Sequence, residues 1–235
     1  MEDRKRSHEL NRLPAEEIID RILAENSGVP CISCSFQAGG MVVLDMLRKR
    51  VPRIPVLFVD TGYHFAEIYA FRDRIAEQWG LNLVNVVPKQ SVAEQESEFG
   101  ILNQTDPDRC CRLRKVEPLF DGLQPYDIWF TGLRRAQSSM RSGVAVLEDH
   151  ELQAGKTLLK VNPIAAWTEN QVWRYTLENG IEFLPLYNDG YTSIGCQPCT
   201  SLPVPGGDGR SGRWGGKKTE CGIHILAKEE ERCRC

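Results

Sequence analysis

The sequence predicts an α/β fold, a mainly parallel sheet flanked by helices, ending in a flexible C-terminal tail. Three observations carry this expectation. Short apolar runs of strand length alternate with longer runs of helical period. Polar or glycine-bearing turns follow three of the strand candidates, at "SFQAGG", "VDTGYH" and "TGLRRAQSS". From about residue 190 the composition shifts towards Gly, Pro, Cys and Arg.

In chain order, "AEEIIDRILAEN" sets Ile18, Ile19, Ile22 and Leu23 on one helical face. "VPCISCSF" is a short buried strand, and "QAGG" leads from it into the helical run "MVVLDMLRKR". "IPVLFVDTG" is a second strand ending in a polar turn. "HFAEIYAFRDRIAEQWG" turns Phe65, Ile68, Ile75 and Trp79 inward and stops at Gly80. "LNLVNVVP" and "YDIWFTGL" supply further strands. Thr168-Glu169-Asn170-Gln171 has the form of a capping box and opens a helix that ends at Asn179-Gly180. Strands separated by helices make βαβ units, whose ligands sit at the carboxyl ends of the strands. The three polar turns fall there. The expected division is a body over residues 1–200 and a tail over 201–235.

The totals narrow the classes. With 235 residues, 41% hydrophobic and 26% charged, the chain has the composition of a soluble globular protein with a sizeable core. A net charge of −3 and a pI near 5.9 give no whole-molecule attraction to nucleic acid or an anionic membrane. The opening "MEDRKRSHELNRLPAEE" has no apolar signal region, and "IPVLFV" is too short to span a bilayer, so a cytoplasmic setting is expected. Nine cysteines, an odd number without an export signal, argue against a disulfide framework and leave metal binding, thiol catalysis or burial.

Four motifs carry chemistry. In Ser35-Phe36-Gln37-Ala38-Gly39-Gly40, backbone N–H groups at a helix start can cradle an anion, although a tight connection uses the same glycines. No Gly-Lys-Ser/Thr follows, so it is not a Walker loop. "TGLRRAQSS" places Arg134 and Arg135 directly after a strand, where guanidinium forks suit oxyanions. "DRCCRLRKVEPL" holds Cys110 and Cys111 among Arg109, Arg112, Arg114 and Lys115, and "GCQPCT" adds Cys196 and Cys199. Four thiolates brought together hold zinc or an iron–sulfur cluster. Zinc sites usually use spaced knuckles on both halves, so the adjacent pair favours a cluster. Last, "KTECGIH" places Cys221 beside Glu220, with His224 three residues on and Arg210 and Arg213 upstream. A thiolate is the nucleophile, and nearby cations favour it.

Together, "CCRLRKVEPL", "GCQPC", "TGLRR" and "ECGIH" resemble the assimilatory adenylyl-sulfate reductases, the cluster-bearing branch of the phosphoadenylyl-sulfate reductase family. The likeness runs from about residue 29 to 224. It implies an adenine nucleotide α-hydrolase-like fold of the ATP-pyrophosphatase type. It implies a [4Fe-4S] cluster on Cys110, Cys111, Cys196 and Cys199, and thioredoxin or a glutaredoxin-like protein as electron donor. Cys221 becomes the nucleophile that attacks the sulfonyl sulfur of adenylyl sulfate, expels AMP and forms an S-sulfocysteine. Substrate contacts are expected from Ser35, Asp60, Thr61, Gly62, Lys115, Gly132, Arg134, Arg135, Arg210, Arg213 and His224. The Gly-rich stretch before Cys221 would let the thiol meet first the substrate and then the donor.

The chain departs from the family where an acidic pair is usual and Gly39-Gly40 stands instead. Cys31 and Cys34 form a further CxxC, but on a strand that spacing points them to opposite faces and into packing. Cys233 and Cys235 lie beyond the catalytic motif, where a frayed terminus is expected. Reduction of the 3′-phosphorylated substrate is the nearest alternative. A tRNA thiolase lacks support because its Ser-Gly-Gly-x-Asp-Ser turn is absent. A zinc-stabilised nucleic-acid module using "RCCRLRK" fits poorly with the acidic balance. No membrane partner is expected, and oligomeric state is left open.

Overall fold

The computed structural model describes residues 6–7, 9–152, 155–216, 218 and 220–224. Cys233 and Cys235 lie outside the described residues. The body begins with α1 (Ala15–Glu25), β1 (Pro30–Ser33), α2 (Ala38–Arg48), β2 (Pro55–Val59), α3 (Ala66–Gln78) and β3 (Asn82–Val86). Helical pieces α4 (Val92–Phe99), α5 (Leu102–Thr105), α6 (Pro107–Cys111) and α7 (Glu117–Leu123) then lead to β4 (Ile128–Phe130). β5 (Leu147–Glu151), β6 (Thr157–Val161) and α8 (Glu169–Glu178) complete it.

The six strands run in the order β3-β2-β1-β4-β6-β5. Every neighbouring pair is parallel except β5 with β6. Helices cover both faces, so a strand such as β2 is apolar throughout rather than alternating with polar residues. Val56 and Phe58 enter one core cluster and Leu57 the other. β4 divides likewise, with Ile128 and Phe130 on one face and Trp129 on the other. Cys31 and Cys34 fall in different clusters, as strand alternation requires. Burial pushes both thiols up, Cys34 to about 12.

The α8 start has both halves of its capping box: Thr168 Oγ1 accepts from Gln171 N at 3.3 Å and Gln171 Oε1 from Thr168 N at 2.8 Å. The β5–β6 hairpin was not legible. β5 reads Leu-Glu-Asp-His-Glu, and an antiparallel edge strand needs no apolar run because one side meets solvent. The short helices between β3 and β4 were also missed. Each has fewer than nine residues, too few for a helical period to declare itself. Among the described residues no helix is long and apolar enough to cross a membrane.

From β1 the order runs outward to β2 and β3 on one side and to β4 on the other. The gap beyond the carboxyl ends of β1 and β4 is therefore a topological switch point, the usual crevice for ligands in such sheets.

Candidate active site

A cavity of about 280 Å³ opens at that switch point. Ser35, Thr61, Lys115, Gly132, Arg134, Arg210, Arg213, Cys221 and His224 all line it, joining three strand-end turns to the C-terminal motif. Gly132 lets the turns approach. A Cβ there would lie 2.6 Å from both Gly39 C and Gly40 N, so the turn after β4 crosses the start of α2 with no room for a side chain. Gly39 in turn faces Gly132 O, which a Cβ would meet at 2.9 Å. Gly39 and Gly132 thus permit a backbone-to-backbone contact, while a Cβ on Gly40 would meet Cys34 Sγ at 3.0 Å.

Three of the residues expected to contact substrate stand apart from this cavity. Asp60 does not line the cavity; its Oδ1 accepts from Gly62 N at 3.0 Å and from Tyr69 Oη at 2.6 Å, closing the turn after β2. Gly62 serves that turn and also lies outside the cavity. Arg135 Nε donates to Val144 O at 2.7 Å, so its guanidinium braces the following loop. Its neighbour Arg134 points inward, 9% exposed, with Nε and Nη1 lacking partners among the described residues. Such a desolvated guanidinium calls for an anion or carbonyl from a ligand.

The four cysteines meet beside this cavity. Cys110 and Cys111 close α6, which Asp106 caps by accepting from Arg109 N at 3.0 Å. The chain then widens into a π-turn, Arg112–Val116. Pro118 offers no N–H to the carbonyl four residues back, and the wider turn accommodates that loss. It leaves Arg114 and Lys115 buried. Arg114 Nε donates to Thr61 O at 2.6 Å, tying this element to the turn after β2. Cys196 and Cys199 arrive from the loop after α8 through a 3₁₀ turn, Gln197–Cys199. All four thiols, with Tyr63, Arg114, Lys115, Pro198 and Trp214, line one small second cavity. Cys111, Cys196, Cys199 and Trp214 pack together, and Cys221 packs against them.

Charge distinguishes the four thiols. Burial raises Cys110 to about 11, with its neighbour Cys111 adding to the effect, and burial also raises Cys111 and Cys199. Burial resists ionisation of Cys196 as well. There Lys115, a 3.3 Å contact with Thr61 Oγ1 and Arg213 outweigh it, and the thiol falls below its ordinary value. Burial should neutralise Lys115, yet the surrounding thiols, Cys196 and Cys221 foremost, hold its ammonium above the usual range. Among the described residues no three Cys, His, Asp or Glu side chains are placed to hold a single metal ion. A four-iron cluster takes one thiolate on each iron, and four cysteines around one cavity beside buried cations fit that donor set.

The motif around Cys221 is docked against the body. Glu220 forms a bidentate pair with Arg141, a residue that sequence reading did not single out. Arg141 lies in an irregular loop of 3₁₀ turns, where no period marks its direction. His224 stacks on Trp129 with ring centroids 5.7 Å apart. Burial, then Lys160, Arg141, His150 and Arg210, drive its pKa well below the histidine range. The docked imidazole is thus held towards its neutral form rather than as a cation beside Cys221. The cations near the thiol include Lys115, Arg210 and Arg213.

The profile of the phosphoadenosine phosphosulfate reductase domain matches residues 29–202. The chain belongs to that family. It is 47% identical over 186 residues to an adenosine 5′-phosphosulfate reductase of Mycolicibacterium smegmatis, covering 78% of each chain. It is 42% identical to an adenosine 5′-phosphosulfate reductase of Streptomyces coelicolor, over 92% of this chain and 87% of that one. Among solved structures it resembles the phosphoadenylyl-sulfate reductase of Candida auris in its phosphate complex. The TM-score is 0.72 at 27% identity, covering 83% of this chain and 94% of that one. The yeast FAD synthetase superposes with a TM-score of 0.58 at 16% identity, over 84% of this chain and 67% of the other. That likeness is one of fold alone.

Proposed function

We propose that this chain reduces adenosine 5′-phosphosulfate to sulfite and AMP, with Cys221 as nucleophile and a dithiol protein of the thioredoxin class as reductant. The observation that carries this reading is the position of Cys221. It lies half-buried where an arginine- and lysine-lined cavity at the switch point meets four clustered cysteines.

The chemistry balances without further reactants. The Cys221 thiolate attacks the sulfonyl sulfur, an S–S bond forms, and the S–O bond breaks with its electron pair leaving on the AMP phosphate. Lys115, Arg134, Arg210 and Arg213 surround the cavity and offset the charge that develops on the departing phosphate. A donor thiolate then attacks Cys221 Sγ and sulfite leaves with the bonding pair. The second donor thiol resolves the mixed disulfide, so the donor is oxidised and Cys221 is restored. Donor access requires the docked motif to leave the cavity, and the Gly-rich stretch from 205 to 216 is placed to act as hinge.

Cys110, Cys111, Cys196 and Cys199 would hold a [4Fe-4S] cluster. When bound, it supplies a thiolate-ligated charged centre beside Lys115. Relatives at 42–47% identity are named for the unphosphorylated substrate, which favours it over the 3′-phosphorylated one.

The test is the intact mass of anaerobically purified, reduced protein after incubation with adenosine 5′-phosphosulfate alone. One sulfonate on Cys221, discharged by thioredoxin, is the expected outcome. An adduct only with the 3′-phosphorylated compound would reassign the substrate. No adduct with either, in protein that retains iron and sulfide, would overturn the reading.

A further inference from the structure

The motif carrying Cys221 is gripped on both sides of its thiol by contacts that reach different parts of the body. On the N-terminal side, Glu220 accepts from Arg141 Nε at 2.7 Å and from Arg141 Nη2 at 2.8 Å, fork against fork. Ser138 Oγ lies 3.4 Å from the same carboxylate and Arg210 Nε 3.5 Å. The two paired side chains are 10% and 8% exposed. Charge-assisted bidentate pairs of this kind are the strong class of hydrogen bond, and solvent does little to screen a buried one. On the C-terminal side Gly222 takes φ +89°, which a side chain would resist. The turn sends Ile223 against the second core cluster and His224 onto Trp129, while Cys221 faces the other cysteines.

Arg141 borders the substrate cavity and could be read as one more anion receptor. Its hydrogen bonds argue otherwise. Nε and Nη2 are committed to Glu220, and Nη1 donates to Gln137 Oε1 at 2.5 Å. Arg134, in contrast, has two nitrogens without partners among the described residues. Nor does Glu220 stand where a nucleotide must go, because a cavity of about 280 Å³ remains with the motif docked. That approaches the lower end of small-molecule sites, ~300–1,000 Å³.

We propose that Arg141 and Glu220 form a latch that holds Cys221 in its attacking position, so that Arg141 is a positioning residue for the tail and not a substrate contact. The inference rests on the function proposed above only for what Cys221 attacks. The docking itself can be measured without substrate. In the reduced protein with its native metal content, the rate at which iodoacetamide modifies Cys221 reports the open fraction. Peptide mapping separates it from the other thiols, and Cys31, Cys34, Cys110, Cys111, Cys196 and Cys199 are all buried.

Arg141→Ala and Glu220→Gln should each accelerate Cys221 alkylation about tenfold or more, since breaking a buried pair strands a charge. The double variant should be no faster than the faster single one, because both remove the same latch. Glu220→Gln alters only the tail, so it keeps the test alive if Arg141→Ala fails to fold. In single turnover with adenosine 5′-phosphosulfate, Arg141→Ala should lower the rate of adduct formation and leave the half-saturating concentration within about twofold. Arg134→Ala should raise that concentration.

Unchanged alkylation in Glu220→Gln would overturn the latch, as would additive effects in the double variant. A raised half-saturating concentration in Arg141→Ala with normal alkylation would reassign Arg141 to the substrate. An adduct with no latch effect leaves the proposed function standing. A latch effect with no adduct removes the function and keeps the latch.

Discussion

The sheet and the C-terminal motif are held together by different physics. In the sheet, β2 and β4 bury every side chain of Val56-Leu57-Phe58 and Ile128-Trp129-Phe130 against two covering layers. Each buried methylene adds roughly 0.8 kcal/mol, and no single contact decides the outcome. Among the described residues the Cys221 motif rests on Ile223 against the second core cluster, on the ion pairs of Glu220 with Arg141 and Arg210, and on the ring stack of His224. Many small apolar terms make a body that does not open in parts. A few polar anchors beside a glycine are the weaker kind of support, from which segments open locally at lower cost. Under the proposed function, in which the thiol meets a nucleotide and then a reductant protein, the second kind of support is the one required.

The sharpest way to break this contrast is to exchange roles between cysteines. Cys221→Ser should abolish the sulfonate adduct and leave iron, sulfide and the visible absorption of the protein in place. Cys111→Ser should remove the absorption. Loss of both properties in Cys221→Ser would make Cys221 a ligand and end its assignment as nucleophile.

A smaller effect tests the packing that forms the cavity. Gly132→Val places a branched side chain where even a Cβ would meet Gly39 C at 2.6 Å. Overpacking of this type costs about 1–3 kcal/mol, more where the obstacle is backbone, so the midpoint of urea unfolding should fall measurably. An unchanged midpoint would mean that the two turns do not touch in solution. The same substitution at Gly209, where no described residue lies within 4 Å of the Cβ position, should leave the midpoint nearly unmoved.

The mildest effect concerns pH. The docked His224 has its pKa driven well below the histidine range, first by burial and then by Lys160, Arg141, His150 and Arg210. Glu148, which pairs with Lys160 at 2.7 Å, is the acidic counterweight nearby. His150, edge-on to Trp129 with ring centroids 5.1 Å apart, is itself lowered to about 4 and stays neutral through the window. A depressed histidine favours the docked state in full above the free value of about 6.5, and that contribution is lost as pH falls below it. Glu220 is also depressed, because Arg141 outweighs its burial, but as a carboxylate it matters only near and below its free value of about 4.3. Hydrogen exchange of the segment 220–224, corrected for intrinsic rates, should therefore show docking weakened about tenfold from pH 7 to 5.5. His224→Asn should flatten that dependence, and a flat profile in the unaltered protein would contradict the buried neutral imidazole.

Strand–helix alternation, the three polar turns and the capping box of α8 were legible from periodicity and turn chemistry, which are local properties. The partners of the site were not. Arg134 and Arg135 are adjacent in sequence and equal in charge, yet one faces the cavity and the other Val144 O. Direction in an irregular loop follows no period. Arg141 and Glu220, 79 residues apart, meet only because the loop after β4 and the C-terminal motif converge on the same edge of the sheet. The two halves of the cysteine set could be counted in the sequence. Only the fold, through the π-turn at Arg112–Val116 and the 3₁₀ turn at Gln197–Cys199, made them one cavity. His224 shows the division most plainly: the sequence determined that an ionisable ring would stand three residues from the thiol. Its charge depended on solvation, and burial against Trp129 made it neutral.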